Sequence, residues 1–167
     1  MTAHDTLEAY HPWTTYIAAC EEARRRGDRR VGTEHLLLAL LRNPSIEKAL
    51  NVTHDDALAK IMALDSEALQ AVGVPKEIDS PLLEERVLPS RPTVKTVMKH
   101  RIKLTPAAKK VLRDAGRPMR RREHITPEAV LLTLLEVRSP DPAAALLDAL
   151  KIDSVKVRER LEAQPTT

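Results

Sequence analysis

Phenylalanine is absent from this chain, and one tryptophan and two tyrosines are its whole aromatic complement. With so few aromatic and β-branched residues there is little to fill several strands, and nothing to build a base-stacking platform for single-stranded nucleic acid. Glycine occurs four times. That leaves little for a glycine-rich phosphate loop, and no G-x-x-x-x-G-K-[ST] run is present. The single cysteine, Cys20, excludes an intramolecular disulfide and suits a reducing compartment. Cys20 falls on an apolar helical stripe and reads as a core thiol. No run approaches the roughly 18–20 apolar residues that span a bilayer, and the N-terminal stretch lacks a signal-peptide pattern. The expected location is the cytoplasm, with no membrane contact. Neither sign of charge dominates: the formal charge of +3 does not by itself imply nucleic acid.

Catalytic signatures are missing too. The six histidines (His4, His11, His35, His54, His100, His124) form no HExxH or Cys/His spacing, so neither a metal site nor a cofactor is expected. No G-x-S-x-G element accompanies the serines. An enzyme is the least favoured class.

What the chain does have is leucine, alanine, glutamate, arginine and lysine, which are good helix formers. Its 43% apolar residues are enough for a core. The expected fold is all-α. Tyr16, Ala19, Cys20 and Ala23 recur at helical spacing and mark an amphipathic helix within residues 13–26. Gly27 can end it, and Arg24, Arg25 and Arg26 suit the negative end of its dipole. Thr33 reads as the N-cap of the leucine-rich run 31–41, which Asn43-Pro44 breaks. A short helix is expected over Ser45–Leu50. Thr53 with Asp56 then forms a capping box for another helix, and Leu64–Val72 adds a further turn or two.

The second half repeats this plan. Thr105-Pro106 is an N-cap followed by proline at the first helical position. Ala108, Val111, Leu112 and Ala115 mark an apolar face, and Gly116 and Pro118 end the helix. The run 125–135 then aligns with 31–41 at a shift of 94, placing Glu34 over Glu128, Leu37 over Leu131, Leu38 over Leu132, Leu40 over Leu134 and Leu41 over Leu135. Leu50-Asn51-Val52 matches Leu150-Lys151-Ile152 at a shift of 100, with an insertion around Arg138–Pro142. A unit of some sixty residues is marginal alone, so two copies sharing one core are expected. The organisation is a single domain over 1–167. Repeat one covers 10–70, a linker with a short basic helix at Thr93–His100 covers 71–103, repeat two covers 104–162, and 163–167 is a tail.

The stretch RRVGTEHLLLALLRNPSIEKALNV resembles the Clp N-terminal repeat, with its Gly-Thr-Glu-His-Leu-Leu element after a helix ending in a glycine turn. KLTPAAKKVL resembles the start of the second copy, and IMALDSEALQAVGV resembles a segment of stand-alone bacterial members of that family. The resemblance implies a tandem pseudo-two-fold repeat of two four-helix units, about eight helices. It also implies a non-catalytic module that binds substrates and adaptors of Clp unfoldases. Without the ATPase, such a module would sequester marked proteins, deliver them to a Clp ATPase/protease complex, or compete for adaptors.

In some members the domain binds arginine-phosphorylated proteins. The glutamate of Gly-Thr-Glu-His then holds the guanidinium, and a threonine near the start of each repeat helps hold the phosphate. Carried over, the candidates are Glu34 with Thr33 in repeat one, and Glu128 with Thr105 in repeat two. Repeat one has Ala9 where the early threonine belongs, with Thr6 and Thr14 nearest. Repeat two reads Ile-Thr-Pro-Glu-Ala, and the helix before it is about two residues short.

The simpler reading of both glutamates is stabilisation of a helix dipole, worth roughly 0.3–1 kcal/mol each. Arg24, Arg25, Arg26, Arg29 and Arg30 precede the first leucine helix, and Arg117, Arg120, Arg121 and Arg122 precede the second. They read either as solvated helix ends or as two related anion sites. Trp13, Tyr10 and Tyr16 read as core, or as the lining of a groove between repeats. The alternatives to peptide binding are a scaffold whose pockets have decayed and, less favoured, a basic nucleic-acid binder.

Overall fold

A computed structural model describes residues 12–73, 102–116 and 125–163, with the backbone alone for Pro12 and Trp13. Repeat one holds α1 (Pro12–Arg26), β1 (Arg30–Val31), α2 (Thr33–Leu40), α3 (Pro44–Leu50) and α4 (His54–Ala71). Repeat two holds β2 (Lys103–Leu104), α5 (Pro106–Ala115), α6 (Pro127–Leu134), α7 (Pro142–Ala149) and α8 (Ser154–Glu162). The regular elements among the described residues are therefore helices apart from one two-residue parallel pairing, Arg30 to Lys103 and Val31 to Leu104. The expected Thr93–His100 helix and the 74–101 part of the linker that holds it, Pro118 and the 164–167 end of the tail lie outside the described residues, as do Tyr10 and four of the histidines.

Local chemistry sets most helix ends. At the end of α1, Gly27 adopts φ +77, its N–H donates to Arg24 O, and Asp28 N–H reaches back to Ala23 O. These two bonds form a Schellman motif, and a left-handed residue there suits glycine. Asn43-Pro44 does more than stop the leucine helix. That helix already ends at Leu40, and Asn43 caps α3 by accepting from Ser45 N–H at 2.9 Å, with Pro44 at the first helical position. Repeat two uses the same device at Asp141-Pro142, where Asp141 accepts from Ala143 N–H at 2.9 Å. Thr53 and Asp56 make the expected capping box on α4. Asp153 caps α8 by accepting from the N–H groups of Val155 and Lys156. Asn51 and Lys151, one hundred positions apart, share a left-handed φ of 55, so the sequence alignment coincides with a backbone equivalence.

One cap departs from expectation. The N-cap of α2 is Gly32, and Thr33 is already the first helical residue. The turns expected from Leu64 onward continue α4 directly: with no glycine or proline between His54 and Ala71, α4 runs for 18 residues, against nine for α8.

The two leucine helices, α2 and α6, meet at the centre of the core. Around them the contacts are reciprocal: α2 packs on α7 and α6 on α3, while α4 packs on α7 and α8 on α3. Each repeat thus covers the other's exposed leucines, which neither could bury alone. Leu36, Leu37 and Leu38 are all fully buried, so α2 is enclosed on every side. The pseudo-symmetry is incomplete here, because Leu132, aligned with Leu38, is 36% exposed. Cys20 is buried in this core, as its place on the stripe implies. Tyr16 packs against the core, and its hydroxyl donates to Ile102 O at 2.9 Å, pinning the chain that enters β2.

One buried charge holds repeat one together. Glu22 on α1 is 1% exposed, and its carboxylate takes the Arg42 guanidinium and, at 3.0 Å, His54 Nε2. Arg42 also donates to Glu21 at 2.8 Å. The group ties α1 to the α2–α3 turn and to the first turn of α4.

Candidate functional site: a cleft between the repeats

The Gly27 turn reverses the chain so that Asp28 faces back toward the last turn of α1. Arg26 Nε donates to Asp28 Oδ2 at 3.0 Å, and Arg26 Nη2 donates to Asp65 Oδ2 on α4 at 2.8 Å. Burial works against the Arg26 charge, but the bonds to Asp28 and Asp65 and their fields outweigh it and hold the guanidinium pKa above its ordinary value. The same Asp28 oxygen lies 2.9 Å from His35 Nε2.

His35 is 1% exposed and stands at the N-terminus of α2. Its Nδ1 accepts the backbone N–H of Gly32 at 3.0 Å, the role a glutamate plays in a capping box. Nδ1 also lies 3.0 Å from Glu34 Oε1. The two contacts make opposite demands on one atom: Nδ1 must be bare to accept from Gly32 and must carry a hydrogen to donate to Glu34.

Glu34 folds back over Gly32. A Cβ built on Gly32 would fall 2.6 Å from the Glu34 carboxyl carbon, so the carboxylate occupies space that only glycine leaves open. Burial acts to raise the Glu34 pKa. The His35 ring, the residue's own N–H and the fields of His35 and Arg26 overcome this and hold it below the usual carboxylate range. Glu34 is therefore an anion at neutral pH. Its Oε2 is buried and has no hydrogen-bond partner among the described residues.

These groups form one wall of a cleft of about 350 Å3. Arg26, Asp28, Glu34 and Asp65 supply the charge, and Ile61 and Leu64 of α4 with Pro142 and Ala145 of α7 supply the apolar side. Repeat one contributes the charges, and the N-terminal turns of α7 close the cleft from repeat two.

The candidates read from sequence fall in different places. Glu34 lines the cleft. Thr33 does not: it is 1% exposed, and its hydroxyl donates to Asp141 Oδ1 at 2.6 Å beneath the cleft. Glu128 is half-buried at the start of α6. Thr105 caps α5 through Ala108 N–H at 3.2 Å, and its own N–H donates to Val31 O at 2.9 Å, three residues ahead of Glu34. Of the first arginine cluster only Arg26 lines the cleft, and it is already committed to two carboxylates. Arg25, Arg29 and Arg30 are exposed, and Arg24 is half-buried. Arg117, Arg120, Arg121 and Arg122 lie outside the described residues.

Asp28, Asp65 and Asp141 were not legible as site residues. Asp28 had a signal, since it follows the Gly27 turn directly. Asp65 and Asp141 had none, because they meet Arg26 and Thr33 only through long-range packing.

No helix among the described residues is long and apolar enough to cross a membrane. A search of curated proteins finds no match. The family model described as the Clp repeat (R) N-terminal domain matches residues 13–148, most of the chain. That span carries both leucine helices, the Gly32–His35 turn and every residue of the inter-repeat cleft. The chain belongs to the Clp repeat N-terminal domain family.

Proposed function

We propose that the cleft is where this interaction module takes hold of a protein ligand, with Glu34 gripping an arginine side chain. The observation that carries the reading is the Glu34 carboxylate, held ionised, with one buried oxygen that has no donor among the described residues, at the edge of an inter-repeat cleft. A buried acceptor left unpaired costs about 1–3 kcal/mol. A guanidinium supplies paired, charge-assisted donors to a carboxylate, and Ile61, Leu64, Pro142 and Ala145 would take its aliphatic stem.

Arginine-phosphorylated clients fit this scheme if the phosphate points outward, toward Arg29 and Arg30, the exposed arginines that precede Gly32. Clp adaptors and a Clp ATPase/protease complex are the partners such a module would serve, by sequestering marked proteins or delivering them for degradation.

Calorimetric titration of the wild type and of Glu34→Ala with free phosphoarginine, with arginine amide as the comparison, tests the reading. Saturable binding that Glu34→Ala removes supports it. A folded wild type silent toward both ligands at millimolar concentration overturns it. The chain would then be an interaction scaffold, the reading favoured by the altered turn in repeat two.

A further inference from the structure

The two aligned glutamates, Glu34 and Glu128, start equivalent helices yet meet different surroundings. At the shift of 94, Gly32 corresponds to Thr126, Thr33 to Pro127 and His35 to Ala129. In repeat one the N-cap makes no side-chain bond, and the space over it holds the Glu34 carboxylate. In repeat two the cap is Thr126, whose hydroxyl accepts from Ala129 N–H at 3.2 Å. By analogy with the Cβ built on Gly32, the Thr126 side chain takes the space that a folded-back Glu128 would need, and Ala129 offers no ring in place of His35.

The helix that carries part of the cleft wall differs as well. Asp65 reaches Arg26 because α4 continues to Ala71, whereas α8 ends at Glu162, before the position equivalent to Asp65. The Thr33 bond to Asp141 has no counterpart either, since Pro127 carries no donor.

Threonine caps a helix at least as well as glycine. Gly32 sits at φ −94 and ψ −178, a backbone that any residue adopts. Glycine is therefore not required here by conformation. What it provides is room.

We propose that Gly32 is the positioning residue that makes repeat one the single carboxylate site of this chain, and that Thr126 closes the equivalent site in repeat two. The ligand-binding side of this inference rests on the reading of the cleft given under Proposed function; the geometric side does not. The chain takes one guanidinium ligand, at Glu34, and Glu128 takes none.

Two measurements on the full chain test it. In the first, the Glu34 side-chain carboxyl is followed by carbon-13 NMR through a pH titration of wild type and Gly32→Thr. Displacement of the carboxylate from the α2 turn moves its titration upward, toward that of an exposed glutamate. An unchanged titration in a folded Gly32→Thr protein overturns the proposal. Gly32→Ala, whose Cβ alone enters the occupied space, serves if the threonine variant fails to fold.

In the second, calorimetry with phosphoarginine counts sites. One site per chain is expected, with at least about a tenfold loss of affinity in Gly32→Thr and less than about a twofold change in Glu128→Ala. Two sites, or a loss in Glu128→Ala equal to that in Glu34→Ala, overturns the proposal and leaves the cleft reading standing. No binding of either phosphoarginine or arginine amide by the wild type overturns the cleft reading, and the NMR titration then decides the role of Gly32 alone.

Discussion

The Thr33 hydroxyl donates to Asp141 Oδ1 at 2.6 Å across 108 positions of sequence, joining the first residue of α2 to the N-cap of α7. Asp141 also accepts from Ala143 N–H, so one carboxylate caps a helix and bridges the repeats. Thr33→Val keeps the shape and removes the donor, and it is expected to cost about 1–2 kcal/mol in urea unfolding. Asp141→Ala loses the cap as well and should cost roughly 1–3 kcal/mol. The double variant should be less unstable than the sum of the two, because both changes delete the same bond.

Removing Arg42 strands a buried carboxylate. Arg42→Ala is expected to destabilise by about 3 kcal/mol, because Glu22 would keep only His54 as its partner among the described residues. Glu21→Ala, which removes the more exposed of the two Arg42 carboxylate partners, should cost less than about 1 kcal/mol. Equal losses in chemical denaturation would show that Glu22 does not depend on Arg42.

Asn51 and Lys151 share a φ of 55 but not a side chain. Asparagine tolerates the left-handed region, and lysine is strained there. Lys151→Asn should therefore stabilise the protein by about 0.5–1 kcal/mol, and Asn51→Lys should destabilise it by a similar amount. Denaturation midpoints at constant slope check both signs.

The Glu34 pKa is lowered on folding, so the folded state favours its ionised form. The stabilisation is complete above the unfolded value of about 4.3 and is lost as pH falls through the lower folded value. Glu34→Gln should flatten this limb: the variant loses less stability than wild type on acidification below about pH 4.5. Urea midpoints measured across that range test it. Parallel curves would place the acid sensitivity elsewhere.

Burial raises the Cys20 pKa against the weaker opposing effects of Tyr16, Ile102 and Arg24. The thiol stays protonated and out of reach of reagents in the folded protein. Labelling with a maleimide should be slow in the native protein and fast in denaturant. Rapid native labelling would mean that the α1–core contact opens readily.

Helix positions and the duplication were legible because they rest on local rules. Apolar spacing at 3.6 residues, Thr53 and Thr105 as caps, and Gly27 as a stop depend on side chains within a few positions of one another. Thr33 was misplaced by one because the residue that caps α2 is a glycine with no capping side chain, and His35 takes part of that role instead. The β1–β2 pairing escaped notice because two-residue strands carry no alternation to detect.

The sequence by itself determined the all-α class, the tandem repeat and the place of Glu34 at the head of a buried leucine helix, since periodicity and capping are written within single turns. Only the tertiary structure decided that Arg26, Asp28, Asp65 and Pro142 share one cleft and that Glu34 and Glu128 are not equivalent. Those facts depend on which elements pack together and on whether a Cβ stands over a helix N-terminus.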